Sequence, residues 1–91
     1  MSYNIQATHQ YDKDVKLAKK RGLDLDKLIE VVCKLASGET LPPKNRDHAL
    51  TGNYAGHREC HISPDWLLIY KKDEEIKLIS LIRTGSHSDL F

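Results

Sequence analysis

Three groups able to act on a phosphodiester recur at four-residue spacing in the segment Arg83-Thr84-Gly85-Ser86-His87-Ser88-Asp89-Leu90-Phe91. Arg83 can neutralise a phosphate, His87 can move a proton, and Phe91 can stack on a base. A second polar cluster lies upstream, His57-Arg58-Glu59-Cys60-His61-Ile62-Ser63-Pro64-Asp65-Trp66. On an extended strand alternate residues share a face, so His57, Glu59 and His61 point one way and Arg58, Cys60 and Ile62 the other. Such a row could act as a general base or hold a metal; a solvated polar sheet face is the plain alternative. Asp65 follows Pro64, where the chain turns between strands, and is expected at the sheet's rim. His57 and His61 with Glu59 resemble a two-histidine, one-carboxylate ligand set. Three alternate residues on one flat strand converge poorly on an ion, however, and the chain has no HExxH helix or paired CxxC. The expectation is therefore an acid, a cation and a base working without metal or cofactor, the equipment of a small ribonuclease.

The rest of the chain must position those groups. Its 91 residues suffice for one domain with a single modest core, expected to span residues 1–91. A hydrophobic content of 40% with 30% charged residues is ordinary for a soluble protein. The net charge of +1 conceals a local excess of cations: Lys13, Lys16, Lys19, Lys20 and Arg21 early, then Lys44, Arg46, Arg58 and Arg83 in the half that bears the polar clusters. Local patches rather than net charge would have to hold a nucleic acid, and Lys44, Arg46 and Arg58 are the candidates beside Arg83. No apolar run is long enough to span a membrane. The N-terminal stretch lacks the basic and apolar regions of a signal peptide, and the two cysteines show no pairing pattern. Both features point to the reducing cytoplasm.

Tyr3 to Ala7 alternate as a short half-buried strand. Thr8 is suited to cap a helix over His9 to Arg21 that ends at Gly22; Asp24 is suited to cap a second over Leu25 to Ser37 that ends at Gly38. In the second helix Leu25, Leu28, Ile29, Val32, Leu35 and Ala36 recur at helical spacing, and Cys33 is expected in the core. Leu41 to Gly52 reads as a loop. Tyr54 to Ser63 and the apolar run Trp66 to Tyr70 read as strands, Lys72 to Glu75 as a turn, and Ile76 to Arg83 as the last strand. The order β-α-α-β-β-β predicts an α+β fold, a two-helix hairpin on one face of a mainly antiparallel sheet.

The segments DHALTGNYAGHRECHISPDWLLIY and LIRTGSHSDLF, with YDKDVKLAKKRGLDLDKL near the start, resemble the YafQ branch of the RelE/ParE toxins of bacterial toxin-antitoxin systems. The resemblance covers nearly the whole chain. It implies a microbial-ribonuclease-like fold that cleaves mRNA, commonly in the ribosomal A site, without metal. It also implies inhibition by a cognate DinJ-like antitoxin with a DNA-binding domain and an acidic tail, and contact with operator DNA only through that complex. By position, His87 is similar to the general acid, Arg83 to the transition-state cation and Phe91 to the aromatic that orients a base. Asp65, His61, Glu59 and His48 match the remaining active-site positions. Family members carry His, Glu or Tyr at the positions of Glu59 and His61, and distant ParE-like relatives attack DNA gyrase without cutting RNA.

Chemically, RNA carries its own nucleophile. Deprotonating a 2′-hydroxyl lets it attack the neighbouring phosphorus, giving a 2′,3′-cyclic phosphate and a free 5′-hydroxyl. The enzyme supplies a base, an acid for the departing oxygen, and positive charge for the phosphorane. Imidazole titrates near neutrality and suits the acid, and guanidinium presents a planar fork of donors to the phosphorane. The base stays open among Glu59, His61, Asp65 and His48, with His61 or Glu59, helped by Asp65, preferred.

Overall fold

The structure is a computed structural model and describes residues 2–91. Strand β1 (Asn4–Ala7) leads into helix α1 (His9–Lys20) and helix α2 (Leu25–Ala36). A single 3-10 turn at Pro43–Asn45 precedes the two-residue strand β2 (His48–Ala49), and another at Gly52–Tyr54 precedes β3 (Arg58–Ser63). Strands β4 (Trp66–Asp73) and β5 (Leu78–Gly85) follow, then the one-turn helix α3 (His87–Leu90). The five strands form one sheet in the order β1-β5-β4-β3-β2. β1 runs parallel to β5 and every other neighbouring pair is antiparallel. This is the α+β arrangement expected, with α3 and β2 added.

Local chemistry sets the helix limits. The Thr8 hydroxyl accepts the Tyr11 N–H at the start of α1, and the Asp24 carboxylate accepts the Asp26 N–H at the start of α2. Both helices end in the same left-handed device. Gly22 and Gly38 adopt φ of +77° and +81°, and the residues beyond them donate back to Ala18 O and Lys34 O.

The two helices pack on one sheet face as the expected hairpin, α1 along β5 and α2 toward β3. The buried stripe of α2 is turned relative to the one expected. Leu28, Val31 and Leu35 are buried, whereas Ile29 is 56% exposed and Cys33 faces solvent. Residues 31 and 33 lie about 200° apart on a helix, so burying Val31 turns Cys33 outward. The second difference is the turn, which falls two residues later than expected. Asp73 stays in β4, and its carboxylate accepts the N–H groups of Glu75 and Ile76, an Asx turn that fixes where the hairpin reverses.

Each sheet face carries its own cluster. Toward the helices, Cys60, Leu68, Tyr70, Ile79 and Leu81 pack with Tyr11, Ala18, Leu28, Val31 and Leu35. On the other face, Leu67, Ile69 and Leu90 pack with Leu50, Tyr54 and Ile82. The central strand β4 is thus buried on both sides from Trp66 to Tyr70, which accounts for its unbroken apolar run. Leu68→Ala should cost about 2–5 kcal/mol through lost burial and the cavity left behind. Urea denaturation at equilibrium checks this; a cost below about 1 kcal/mol would mean the core collapses readily around the deletion.

Candidate active site

Sheet register gathers the polar groups on the face opposite α1 and α2. Residues directly opposite across paired strands share a face. Glu59 pairs with Ile69 and His61 with Leu67, both members of the helix-free cluster, and His48 pairs with Glu59. Arg83 reaches this face through an irregularity. Tyr70 pairs with Leu81 but Ile69 pairs with Arg83, so Ile82 is an extra residue in β5. Strict alternation from Leu81 would have put Arg83 under the helices; the bulge re-aims it.

Glu59 lies at the bottom, only 5% exposed. Its Oε1 is 3.5 Å from His48 Nε2 and 3.7 Å from His61 Nε2, so two imidazoles cover one carboxylate. The Asn45 side chain donates to the His61 carbonyl at 2.7 Å, and His48 Nδ1 donates to the Arg46 carbonyl at 2.6 Å. These bonds fix the strand edge and the loop that carry the two rings.

His87 stands across from His61, with ring centroids 5.8 Å apart. Its Nδ1 is 2.6 Å from Asp65 Oδ1, and its backbone N–H donates to the same oxygen. Hydrogen bonds from His87, first its side chain and then its backbone, hold the Asp65 carboxyl below its usual range. An ionised carboxylate can only accept, so the His87 Nδ1 carries the hydrogen and Nε2 is left facing outward. Asp65 thus pairs with His87, and no hydrogen bond or ion pair joins it to Glu59 or His61; the turn after Pro64 brings it under the N-terminus of α3.

Arg83 is held from behind. Its Nε and Nη2 each donate at 3.0 Å to the Asp14 carboxylate on α1. Burial acts to raise the Asp14 pKa, but hydrogen bonds from Arg83, Gln10 and the Thr84 N–H outweigh it and the carboxyl stays below its ordinary range. Two of the five guanidinium N–H groups are used this way, and the Tyr54 hydroxyl lies beside the others, which point toward a substrate's side of the site. Phe91 is 63% exposed and meets Tyr54 edge-on at 5.6 Å, while Tyr54 in turn meets His57 at 6.0 Å. His57 thus belongs to an aromatic row at the rim and does not join Glu59 and His61.

The basic residues divide. Lys44 and Arg46 line a cleft of about 630 Å³ that opens beside His61 and continues to Lys27 and Lys34 on α2. Arg58 lies on the helix side, where it donates to Asp47, which also accepts the Tyr70 hydroxyl. Its register partner is Tyr70, so it cannot reach the face that holds the imidazoles. Cys60 is fully buried, and burial pushes its thiol up to about 12, which leaves it chemically inert. Among the described residues no group of three or more His, Cys, Asp and Glu side chains is placed to hold a metal ion.

This geometry meets its relatives at one point. A sequence model described as the bacterial toxin of type II toxin-antitoxin system, YafQ, matches residues 3–91. The chain belongs to the YafQ family. The mRNA interferase toxin YafQ of Escherichia coli strain K12 is 44% identical over 89 residues, 97% of this chain and 95% of that protein. The YafQ structure in the E. coli DinJ-YafQ toxin-antitoxin complex superposes with a TM-score of 0.91 at 42% identity, covering 100% of this chain and 99% of that one. A metal-bound toxin from Helicobacter pylori superposes equally well, with a TM-score of 0.91, 43% identity and full coverage of both chains. The YafQ fold is thus shared along the whole length. Asp14 and Tyr54 are site residues that sequence reasoning missed: Asp14 sits 69 positions from Arg83 on an unremarkable helix face, and no local pattern links them.

Proposed function

We propose that this chain is the toxin of a type II toxin-antitoxin pair, one RelE-like domain over residues 1–91, and that it inhibits translation as an mRNA interferase. The observation that carries the reading is the pair of imidazoles, His61 and His87, facing each other with a carboxylate behind each. Glu59 is too deeply covered to touch a 2′-hydroxyl, so His61 is the base, and the Glu59 carboxylate 3.7 Å from its ring favours the imidazolium that forms. His48 flanks the same carboxylate and closes the base side of the site. His87 Nε2 protonates the departing 5′-oxygen. Arg83 neutralises the phosphorane with its remaining N–H groups, and Phe91, braced by Tyr54, stacks on a base. Lys44 and Arg46 hold the flanking phosphates. The substrate is mRNA, engaged in the ribosomal A site. The partner is a DinJ-like antitoxin whose acidic tail covers this basic face, and the setting is the cytoplasm. No helix among the described residues is long and apolar enough to cross a membrane.

The test is incubation of the purified protein with mRNA, with and without ribosomes. Fragments ending in a 2′,3′-cyclic phosphate and a 5′-hydroxyl are expected; intact RNA in both settings would leave an antitoxin-binding or gyrase-directed protein. Cleavage should also persist in excess chelator, because acid, base and cation all come from the chain's own side chains. Activity lost to chelator and restored by zinc or manganese would instead give a metal the central role, a live comparison given the metal-bound Helicobacter pylori relative.

A further inference from the structure

His87 and Phe91 are carried by very little structure. α3 is a single turn of four residues, too short to be stable alone. Its internal support is a capping box, in which the Asp89 carboxylate accepts the Ser86 N–H and the Ser86 hydroxyl accepts the Asp89 N–H. Leu90 anchors its buried side against Leu67 and Ile69. Asp65 accepts from the His87 N–H and Nδ1, and a further hold comes from the end of α1. Arg21 donates from Nη1 to Asp89 Oδ2 at 2.6 Å and from Nη2 to Asp89 Oδ1 at 3.2 Å.

Arg21 caps the C-terminus of α1 seven positions, two helical turns, after Asp14, so the two lie on one side of that helix. From that face each grips the catalytic tail, Asp14 at Arg83 and Arg21 at Asp89. The fit around Asp89 is close. A Cβ built on Gly85 would lie 3.0 Å from the Asp89 Cβ and Oδ2, so a larger residue at this strand end would push α3 back by a few tenths of an ångström. The Arg21 guanidinium, by its hydrogen bonds first, also holds the Asp89 carboxyl far below the usual carboxylate range.

We infer that Arg21 is a positioning residue for cleavage: through Asp89 it fixes α3, and with it the separation of His87 from His61 and the setting of Phe91. An exposed ion pair adds little to global stability. Its value here is geometric, because a bidentate guanidinium-carboxylate contact fixes orientation as well as distance. The inference rests on the ribonuclease reading, in which a misplacement of about 1 Å can cost on the order of 100-fold in rate.

The competing role for Arg21 is simply to attract RNA, and Lys20, the adjacent cation, separates the two. Arg21→Gln and Lys20→Gln remove the same charge from neighbouring positions. Steady-state cleavage by both variants and by Arg21→Lys, together with amide spectra of His87 and Leu90, forms the test. Arg21→Gln is expected to lower kcat by about 10- to 100-fold with KM little changed, and to move the His87 and Leu90 resonances. Arg21→Lys should recover part of kcat, and Lys20→Gln should change KM alone. Equal changes in KM for the two glutamine variants, with kcat and the α3 resonances unmoved, would overturn the inference. Absence of RNA cleavage by the unsubstituted protein would count against the ribonuclease reading. In that case moved resonances in Arg21→Gln would still uphold the positioning contact, and unmoved ones would overturn it.

Discussion

Replacing His87 by alanine should abolish growth arrest while leaving the fold intact. The His87 side chain is 55% exposed, and its one side-chain partner, Asp65, is more exposed still. Breaking an exposed pair of this kind costs little stability. Loss of a general acid removes roughly 100- to 10,000-fold in rate. Expression from an inducible promoter at matched protein levels, with RNA cleavage in vitro, measures one side; thermal melting measures the other. Full toxicity of the mutant would remove His87 from the mechanism. Asp65→Asn should fall between the two, since it keeps a hydrogen-bond acceptor beside the ring but loses the charge that stabilises an imidazolium.

Arg83→Met should damage both activity and stability. Losing a preorganised cation at the phosphorane is expected to cost about 100- to 1,000-fold in kcat. The mutation also leaves the buried Asp14 carboxylate with only Gln10 and the Thr84 N–H, at a cost of about 1–3 kcal/mol. The pH dependence separates this from a generic packing defect. The pKa of Asp14 is lower in the folded chain than its ordinary 3.8, so its contribution is complete above that value and is lost as pH falls through the lower folded pKa. Arg83→Met raises the folded pKa toward the ordinary one, so the gap in stability between variant and parent should be full at neutral pH and shrink as pH falls below the ordinary carboxylate range. Urea midpoints across that range provide the measurement. A gap that stays constant would place the defect in packing instead of charge.

How far the sequence revealed this site depends on whether a contact is local or distant. Alternation along β3 put Glu59 and His61 on one face, and the spacing of Arg83, His87 and Phe91 marked the tail, because both follow from backbone periods of a few residues. The register bulge at Ile82 and the pairing of Asp65 with His87 have no such period. His57 was misplaced, whereas Arg58 stands on the face expected for it but is drawn into a pair there. The strand begins at Arg58, one residue after His57, and Arg58 found a closer partner in Asp47, on a loop whose path the sequence does not encode locally. Cys33 shows the same limit in a helix, where the apolar pattern is broad enough for two stripes and tertiary packing chose the one through Val31.

The place of β5 in the sheet bears on when this protein can become harmful. β5 lies between β1 and β4, and β1 has no other strand to pair with. A ribosome making this chain therefore exposes both helices and three hairpin strands before the strand that joins them exists. Arg83, His87 and Phe91 all lie within or beyond that strand, so the cation and the acid arrive together with the element that completes the fold. A nascent chain that stops short of β5 therefore lacks both the strand that joins β1 to the rest of the sheet and the groups that β5 and α3 carry.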